Sequence, residues 1–494
     1  MSLEPFTTAI AARHGKVLRD PEIAQRVLLR QILTASKGSA VAKALGLSGD
    51  EPFAEFLELA PRSYSFYVPL VEQVLDGDHF AFGRDPIVAF GETSGSLGNP
   101  KLIPHTAASL DSIRQFSKRL LLFQLCDGDH YIPRYTKWLA VTASTNVRVE
   151  RGIRIGFISG LMYQIAQKKR GALILPTPAI AAIGDWDERI ERSVAEAWDK
   201  RVGAMLGVPA YLMRFLEAAT ARANGKPLGE VWPLLGRVYY SGTSILPHRD
   251  QMEQMLGRHL RVQGLYTATE GSFAAELDAT APGELHLMVD LAVFAFRDLQ
   301  EPSSGLVSAW EVSRGHRYEV FVTTLAGLIQ YQIGDVLEVT ETCPLRVRVV
   351  GRTEEEINIA TEKLSLKQAH ATLEQIASSA KLHRDRFMVL VDPLHPRRHL
   401  WIVEASEPVA DVQAAILIDG ALASINPSYA SLRQGDALLD RPRVVVCEHG
   451  SFDAYIAAGF ATRGQFKFRH FFPDAQTLTR TIGLEAFGRH LGTT

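Results

Sequence analysis

A loop rich in glycine and hydroxyl side chains occupies residues 90–106, with the sequence FGETSGSLGNPKLIPHT. It follows the strand-like segment DPIVAF and leads into the helical-looking segment AASLDSIRQFSKRLLLFQL. Glycines allow backbone N–H groups to turn towards an anion, and Lys101 adds a positive charge, so this composition suits a phosphate-binding loop. The loop lacks the G-x-x-x-x-G-K-[ST] pattern, which disfavours a P-loop nucleoside triphosphatase. A turn rich in serine and glycine is by itself more often an ordinary loop, so that interpretation stays open.

Two acidic residues and one lysine could complement such a loop. Glu270 follows the strand-like segment LRVQGLYTA, where a carboxylate could ligate the Mg²⁺ that nucleotide phosphates require. Asp335 follows Gly334 between two predicted strands and could accept hydrogen bonds from ribose hydroxyls, although Gly-Asp is also ordinary turn chemistry. Lys467 lies among aromatic residues in ATRGQFKFRHFF and could reach a phosphate, or belong to a basic edge strand. Taken singly, none of these residues decides the function.

The elements that must position these residues follow from the hydrophobic pattern. The first eighty residues predict amphipathic helices, with a break at Gly46. Short apolar runs then alternate with helical segments such as DERIERSVAEAWDKRVGAML, which predicts an α/β fold with a largely parallel sheet and ligands at its strand ends. From about Glu284 the strands are closely spaced and predict a β-rich subdomain or a continuation of the sheet. We expect two domains, residues 1–352 and a small α+β domain of residues 353–494.

Composition excludes several classes of protein. The 494 residues carry a formal net charge of -2, so no overall field would hold a nucleic acid. The three cysteines, Cys126, Cys343 and Cys447, are far apart and form no C-x-x-C pattern, which argues against a disulfide framework and a zinc site. No segment approaches the roughly 18 apolar residues of a membrane span, and the N-terminus lacks an apolar signal region. These features predict a cytoplasmic protein that has no nucleic-acid or membrane partner.

Four motifs in order resemble those of the adenylate-forming superfamily. They are residues 93–101 (TSGSLGNPK), 266–270 (YTATE), 331–335 (YQIGD) and 351–354 (GRTE). The first matches the T-S-G-T-T-G-x-P-K phosphate loop of that superfamily, with Ser96 and Leu97 in place of two threonines. The others resemble Y-G-x-T-E, Y-R-x-G-D, with Gln332 in place of arginine, and the G-R-x-D hinge.

Within that superfamily the chain resembles the Gretchen Hagen 3 family, whose acyl-acid amido synthetases include auxin-responsive plant enzymes and bacterial relatives. The similarity extends over nearly the whole chain, through segments such as MLGVPAYL, VYYSGTSILP, VTTLAGLIQYQIGDVLEV, TEKLS, INPSYASLR and GQFKFRHF. The phosphate loop departs from the family pattern S-S-G-T-S-x-G-x-x-K, because it is one residue shorter.

The resemblance implies an ATP- and Mg²⁺-dependent ligase that adenylates a carboxylic acid, releases pyrophosphate, and passes the acyl group to an amine, usually of an amino acid. It implies a large N-terminal α/β domain with mixed and parallel sheets, and a small mobile C-terminal domain that rotates near Glu354. Catalytic roles fall on Lys467, Glu270 and Lys101, with Glu270 as the metal ligand and Asp335 on the ribose. The nucleotide-binding residues implied are Thr93, Ser94, Gly95, Ser96, Gly98, Lys101, Ser241, Gly242, Thr243, Tyr266, Thr269, Asp335 and Arg352.

Two alternatives remain at this point. The acyl group could pass to the thiol of coenzyme A or of a carrier protein, or the chain could bind nucleotide without turnover, as Gln332 and the altered threonines suggest. The family places the acyl pocket around FSKRLLLFQL and GIRIGFISGLMYQIA. For the second step, His105 and His248 are the candidate general bases, although most histidines are structural.

Overall fold

The computed structural model describes residues 15, 17, 19–93, 101–126, 136–243, 245–278, 281–352, 356–453, 470–472 and 478. These residues divide into two compact units, one ending at residue 352 and one beginning at residue 356. The α-helices of the first unit are Pro21–Ser36, Ala40–Leu45, Phe53–Glu58, Tyr64–Leu75, Ala107–Cys126, Ile158–Arg170, Pro178–Ala181, Trp186–Ala197, Pro209–Arg222, Leu228–Val231 and Leu246–Leu256. Those of the second unit are Leu366–Ala380, Asp411–Ile425 and Pro427–Arg433.

The helical beginning of the chain is as the sequence predicts, with one additional break. Pro21–Ser36 ends before Gly38, and Ser39 starts the next helix by accepting a hydrogen bond from the backbone N–H of Ala42. Gly46 then ends that helix in the left-handed conformation that glycine favours. The buried face of the first helix packs on strand residues of the first unit, and the Gln25 side chain accepts a hydrogen bond from Phe294 N–H over 2.8 Å.

The strands are numbered in chain order. They are β1 (Ile87–Thr93), β2 (Lys101–Thr106), β3 (Lys137–Val141), β4 (Arg148–Glu150), β5 (Ile153–Phe157), β6 (Ile174–Leu175), β7 (Val202–Gly207), β8 (Arg237–Tyr240), β9 (Val262–Ala268), β10 (Gly271–Ala275), β11 (Leu285–Leu287), β12 (Val293–Asp298), β13 (Leu306–Ser308), β14 (Arg317–Thr323), β15 (Tyr331–Thr342), β16 (Leu345–Arg352), β17 (Glu356–Ile357), β18 (Leu364–Ser365), β19 (Leu382–Val391), β20 (His399–Ala405) and β21 (Arg443–Cys447).

A 12-stranded sheet forms the frame of the first unit, in the order β13-β12-β14-β15-β16-β11-β10-β9-β8-β7-β3-β6. In this spatial order, the five strands at one end (β6, β3, β7, β8 and β9) pair in parallel. The pairs from β9 to the other end at β13 are antiparallel. The closely spaced strands after Glu284 therefore continue the sheet rather than form a separate layer. The helical prediction for DERIERSVAEAWDKRVGAML is wrong in its last part, because VGAML forms the buried strand β7.

A smaller sheet of the first unit has the order β2-β1-β5-β4. Its buried residues Phe90, Ile103 and Ile155 share one core with residues of the large sheet such as Phe273 and Phe294. β1 and β2 form an antiparallel hairpin in which Thr93 pairs with Lys101. The prediction that the glycine-rich loop leads from a strand into a helix is therefore wrong, because β2 intervenes before the helix that begins at Ala107.

The second unit is a small α+β structure. Its three-stranded sheet has the order β19-β20-β21, with β19 antiparallel and β21 parallel to the central strand. A capping box at Ser365 and Gln368 starts the helix Leu366–Ala380. The expected mixed α/β class is confirmed. No helix among the described residues is long and apolar enough to cross a lipid bilayer.

Candidate functional site

The site is built around a buried hydrogen bond between two of the sequence motifs. The Tyr266 hydroxyl, on β9, donates to Asp335 Oδ2, on β15, over 2.6 Å. Burial and the nearby Asp335 carboxylate raise the pKa of Tyr266 well above 10.0, so the phenol stays protonated and donates. The bond therefore fixes the orientation of the Asp335 carboxylate.

Arg352 holds the same carboxylate from the neighbouring strand. It pairs with Asp335 across β15 and β16, and its Nε lies 3.5 Å from Asp335 Oδ1. One terminal nitrogen of Arg352 donates to the Ile333 carbonyl over 2.6 Å, which ties the guanidinium to the backbone of β15. Asp335 is thus held from two sides by a phenol and a guanidinium.

The backbone beside Asp335 is a bulge within one strand. On β14, Glu319 pairs with Val336 and Phe321 pairs with Gln332, so residues 333–335 of β15 lie opposite Val320 alone. Gly334 has φ of 84°, in the left-handed region that favours glycine. The prediction of a turn between two strands at Gly334-Asp335 is wrong, because the flanking residues belong to the same strand.

Glu270 lies in the tight turn between β9 and β10. Burial raises the pKa of Tyr331, and the neighbouring Glu270 carboxylate raises it further. The ring of Tyr331 is fixed by an edge contact with Tyr67, with 5.7 Å between ring centroids. We call Tyr266, Glu270, Tyr331, Asp335 and Arg352 the carboxylate cluster, in which a tyrosine lies near each acid.

The β1–β2 hairpin packs directly against the turn that contains Glu270. A Cβ atom added at Gly91 would lie 2.4 Å from Thr269 Cγ2, so a larger residue at this position would force Thr269 to move. His105 Nε2 donates to the Thr269 carbonyl over 3.0 Å, and burial lowers the pKa of His105 to about 4. The two strands of the hairpin are thereby anchored beside the turn that contains Glu270.

The buried position of His105 beside Thr269 indicates a structural role. Its side chain is fully buried, and Nδ1 lies 3.2 Å from Ser109 Oγ, so both ring nitrogens face protein atoms. His248 is also buried, in the helix Leu246–Leu256. The sequence suggests both histidines as possible general bases. The geometry of His105 instead favours a structural role, because its side chain connects β2 to the turn that contains Glu270.

Lys101 begins β2, at the base of the glycine-rich loop. Its Nζ lies 5.7 Å from the ring centroid of Tyr64. The Tyr64 hydroxyl accepts a hydrogen bond from Leu102 N–H over 2.8 Å. The sequence alone does not identify Tyr64 and Tyr331 as contacts of the site, because the residues that they contact are distant from them in the chain.

The segment of Ser241, Gly242 and Thr243 follows β8 at the sheet edge where the parallel strands end. Gly242 has φ of 85°, and within the described chain the buried Thr243 Oγ1 has no hydrogen-bond partner. A buried hydroxyl without a partner costs about 1–3 kcal/mol, which a polar ligand atom would recover. Because β8 and β9 are parallel neighbours, this segment and Glu270 follow the carboxyl ends of adjacent strands.

Gln332 differs from the arginine of the superfamily motif, and the structure gives it a partner. Its Nε2 donates to Glu319 Oε1 over 2.7 Å, while Arg297 lies 2.8 Å from Glu319 Oε2. Glu319 is therefore paired on both carboxylate oxygens although glutamine replaces the motif arginine.

Several predicted site residues lie outside the described residues. They are Ser94, Gly95, Ser96 and Gly98 of the loop, Glu354 of the hinge, and Lys467. The described candidates separate into the carboxylate cluster, the hairpin residues Thr93 and Lys101, Thr269 of the β9–β10 turn, and the segment after β8.

Comparisons with known proteins point to one family. The model of the GH3 family N-terminal domain matches residues 12–193, and that of the GH3 family central domain matches residues 286–352, together half of the chain. Jasmonoyl--L-amino acid synthetase JAR4 of Nicotiana attenuata is 20% identical over 383 residues, 64% of this chain and 66% of that protein. Putative indole-3-acetic acid-amido synthetase GH3.10 of Oryza sativa subsp. japonica is 35% identical over 128 residues, 24% of this chain and 27% of that protein. The matched part thus spans less than two thirds of each relative.

A solved structure shares the fold. The chain aligns with AtGH3.15 acyl acid amido synthetase in complex with 2,4-DB at a TM-score of 0.62 and 17% identity, covering 96% of this chain and 95% of that one. At this identity the similarity establishes the arrangement of elements.

Proposed function

Because the chain belongs to the GH3 family, we propose that it is an ATP-dependent ligase that joins a carboxylic acid to an amine. In the first step the acid attacks the α-phosphate of ATP, giving an acyl-adenylate and pyrophosphate. In the second, the amine of an amino acid attacks the acyl carbon and AMP leaves, giving an amide. The observation that most supports this proposal is the carboxylate cluster, in which residues of three separate motifs meet and Tyr266 donates a hydrogen bond to Asp335.

The first step brings two anions together, so charge neutralisation and alignment are the main tasks of the protein. Lys101 lies at the base of the hairpin loop, where its ammonium would balance phosphate charge. Ser94, Ser96 and Gly98 would supply hydrogen-bond donors for the β- and γ-phosphates. Lys467 would approach the α-phosphate and the carboxylate of the acid during this step.

The nucleoside would bind between the carboxylate cluster and the segment after β8. Asp335 is oriented by Tyr266 and Arg352, and a carboxylate oxygen can accept more than one hydrogen bond, which suits a ribose hydroxyl. Among the described residues the buried Thr243 Oγ1 has no hydrogen-bond partner, which fits a polar edge of adenine beside the Ser241-Gly242 backbone. Tyr266 would border the base on its other side.

Glu270 is the residue we propose as the Mg²⁺ ligand. A carboxylate oxygen is the ligand type that Mg²⁺ prefers, and Glu270 lies near Tyr331 in the turn beside the hairpin. When bound, Mg²⁺ would reduce the negative charge of the triphosphate. Glu270 would hold the metal, while Lys101 and the loop would orient the phosphates.

The second step requires a different arrangement of the same groups. We propose that residues 353–494 act as a mobile domain that turns near Glu354, which withdraws Lys467 and admits the amine. Closure of such a domain also keeps water from the acyl-adenylate, a hydrolysable mixed anhydride. A reducing cytoplasm is the proposed setting, since Cys343 and Cys447 are free thiols.

An exchange assay tests the first half of the proposal. ATP–pyrophosphate exchange is measured with aryl, indolyl and aliphatic acids, and at least one acid is expected to support exchange. ATP cleavage to ADP and phosphate alone would contradict adenylation, and the absence of exchange with every acid while nucleotide still binds would favour the non-catalytic alternative.

Product analysis tests the second half. The protein is incubated with ATP, an acid that supports exchange, and either a panel of amino acids or coenzyme A. The products are identified by mass spectrometry. We expect AMP and an amide that resists hydroxylamine. A hydroxylamine-sensitive thioester as the main product would assign the chain to the thiol-transferring alternative.

A further inference from the structure

Two histidines and a buried glutamate converge in the second unit, outside every motif assigned above. His383 is the second residue of β19, Glu404 lies on β20, and His449 lies in the turn after β21. His383 Nε2 is 3.1 Å from His449 Nδ1, and the two nitrogens lie 3.6 Å and 3.5 Å from Glu404 Oε1. We propose that these three atoms bind one divalent transition-metal ion of the zinc type.

The spacing of the three atoms matches a metal polyhedron. Zn²⁺ binds histidine nitrogen and carboxylate oxygen at about 2.0–2.1 Å, and tetrahedral geometry then separates neighbouring ligand atoms by about 3.3–3.4 Å. The observed separations of 3.1, 3.5 and 3.6 Å fall around this value. Two imidazoles and one carboxylate are also a ligand set that zinc uses in proteins.

The glutamate is fixed before any ion binds. Glu404 is fully buried, and its Oε2 accepts a hydrogen bond from Phe452 N–H over 2.9 Å. Its Oε1 accepts from Arg386 over 2.7 Å and also faces the two histidines. A carboxylate oxygen has two lone pairs, so the guanidinium and a metal can share Oε1.

A distortion of the sheet brings the first histidine to this carboxylate. Leu382 pairs with Ala405, and the next registered pair is Phe387 with Val403, so residues 383–386 of β19 lie opposite Glu404 alone. Because of these extra residues, the side chains of His383 and Arg386 both lie close to the Glu404 carboxylate. His449 approaches from the other side of Glu404, because Glu404 is paired with Cys447 on β21.

The local charge favours a cation. Arg386 lies 2.9 Å from Asp453 and is also influenced by Asp385, so three carboxylates surround one guanidinium. A dication at the histidine pair would offset this excess of negative charge. The His449 side chain is 66% exposed and that of His383 is 27% exposed, which leaves a path for the ion and for a water ligand.

Metal titration of the full-length protein tests the site. The protein is purified without a polyhistidine tag, stripped with a chelator, and titrated with Zn²⁺ and with Co²⁺, whose visible absorption reports tetrahedral coordination. We expect one equivalent to bind. His449→Ala and His383→Ala should each weaken binding at least tenfold, whereas His395→Ala, an exposed histidine of the same unit, should not.

A variant at the proposed magnesium ligand separates the two metal sites. Glu270→Gln should keep the zinc equivalent, since Glu270 belongs to the first unit. The proposal is wrong if the wild type binds no Zn²⁺ at micromolar concentration, or if His449→Ala binds it as tightly as the wild type. His449 is exposed in a turn, so its replacement keeps the test valid even where His383→Ala fails to fold.

Discussion

The hydroxyl of Tyr266 donates a 2.6 Å hydrogen bond to Asp335, a residue 69 positions later in the chain. Neither side chain is exposed, and Arg352 approaches the other oxygen of the same carboxylate. This bond connects two sequence motifs into one structural unit, and its removal should affect nucleotide binding more than folding.

Tyr266→Phe tests that connection. The ring and its packing on Phe273 remain, while the Asp335 carboxylate loses one of the two groups that orient it. A hydrogen bond to a charged group is worth about 1.5–3 kcal/mol, so we expect the KM for ATP in the exchange assay to rise about tenfold or more. Tyr318→Phe, which removes a buried hydroxyl bonded to Ser313, is the matched control and should keep the KM. An unchanged KM in Tyr266→Phe would remove the ribose role from Asp335.

Glu270→Gln tests the proposed metal ligand. The amide keeps the size of the side chain but supplies a poorer oxygen ligand for Mg²⁺. We expect the apparent Mg²⁺ affinity to fall at least tenfold, with partial recovery of the exchange rate at high Mg²⁺. Glu284→Gln, which alters an acid paired with Arg346 elsewhere on the sheet, is the control. A normal Mg²⁺ titration in Glu270→Gln would show that another group holds the metal.

Gly91→Ala tests the contact between the hairpin and the Glu270 turn. The added methyl would lie 2.4 Å from Thr269 Cγ2, and overpacking of this kind costs about 1–3 kcal/mol. Urea denaturation should therefore show a lower free energy of unfolding. Thr269→Ser removes the obstructing methyl group, so the double variant should recover much of the loss. If the two substitutions are simply additive, the clash is not the cause.

Lowering the pH should decrease the free energy of unfolding of the first unit, because His105 is buried there. Burial lowers its pKa from 6.5 to about 4, so between these values the unfolded chain binds a proton that the folded protein excludes. Stability then falls as the pH drops through this window, by about 3 kcal/mol in total, and changes no further below it. His105→Asn should flatten this dependence between pH 7 and pH 5, as measured by urea midpoints. Equal slopes for wild type and variant would assign the acid sensitivity to other groups.

A buried acid supports the second unit. Glu362, in the TEKLS segment, accepts hydrogen bonds from the backbone N–H groups of Ile359 and Ala360 and lies 2.9 Å from His399 Nε2. Glu362→Ala leaves these groups without their partner, and we expect a loss of about 3–5 kcal/mol in unfolding free energy. Glu374→Ala breaks an exposed pair with Arg384 and should cost less than about 1 kcal/mol. Comparable losses for both variants would contradict the structural role of Glu362.

The sequence by itself determined the mixed α/β class and several of the elements, since helix caps, apolar periodicity and glycine breaks act over a few residues. Gly46 ends a helix as the local pattern predicts, and the segment DPIVAF overlaps the observed strand β1. The four ordered motifs also indicated the superfamily, and segments such as MLGVPAYL and VTTLAGLIQYQIGDVLEV indicated the family, because residue type and spacing are preserved in the chain itself.

The tertiary structure decided which motifs meet. In the large sheet β16 lies between β11 and β15, so strands distant in the chain become neighbours and bring Asp335 to Tyr266. The bulge at Gly334 depends on pairing with β14, and local sequence therefore predicted a turn instead. His383, Glu404 and His449 follow no spacing rule, because only the sheet of the second unit brings them together. Long-range pairing lowers the free energy through the whole sheet and its core, so windows of a few residues cannot specify it.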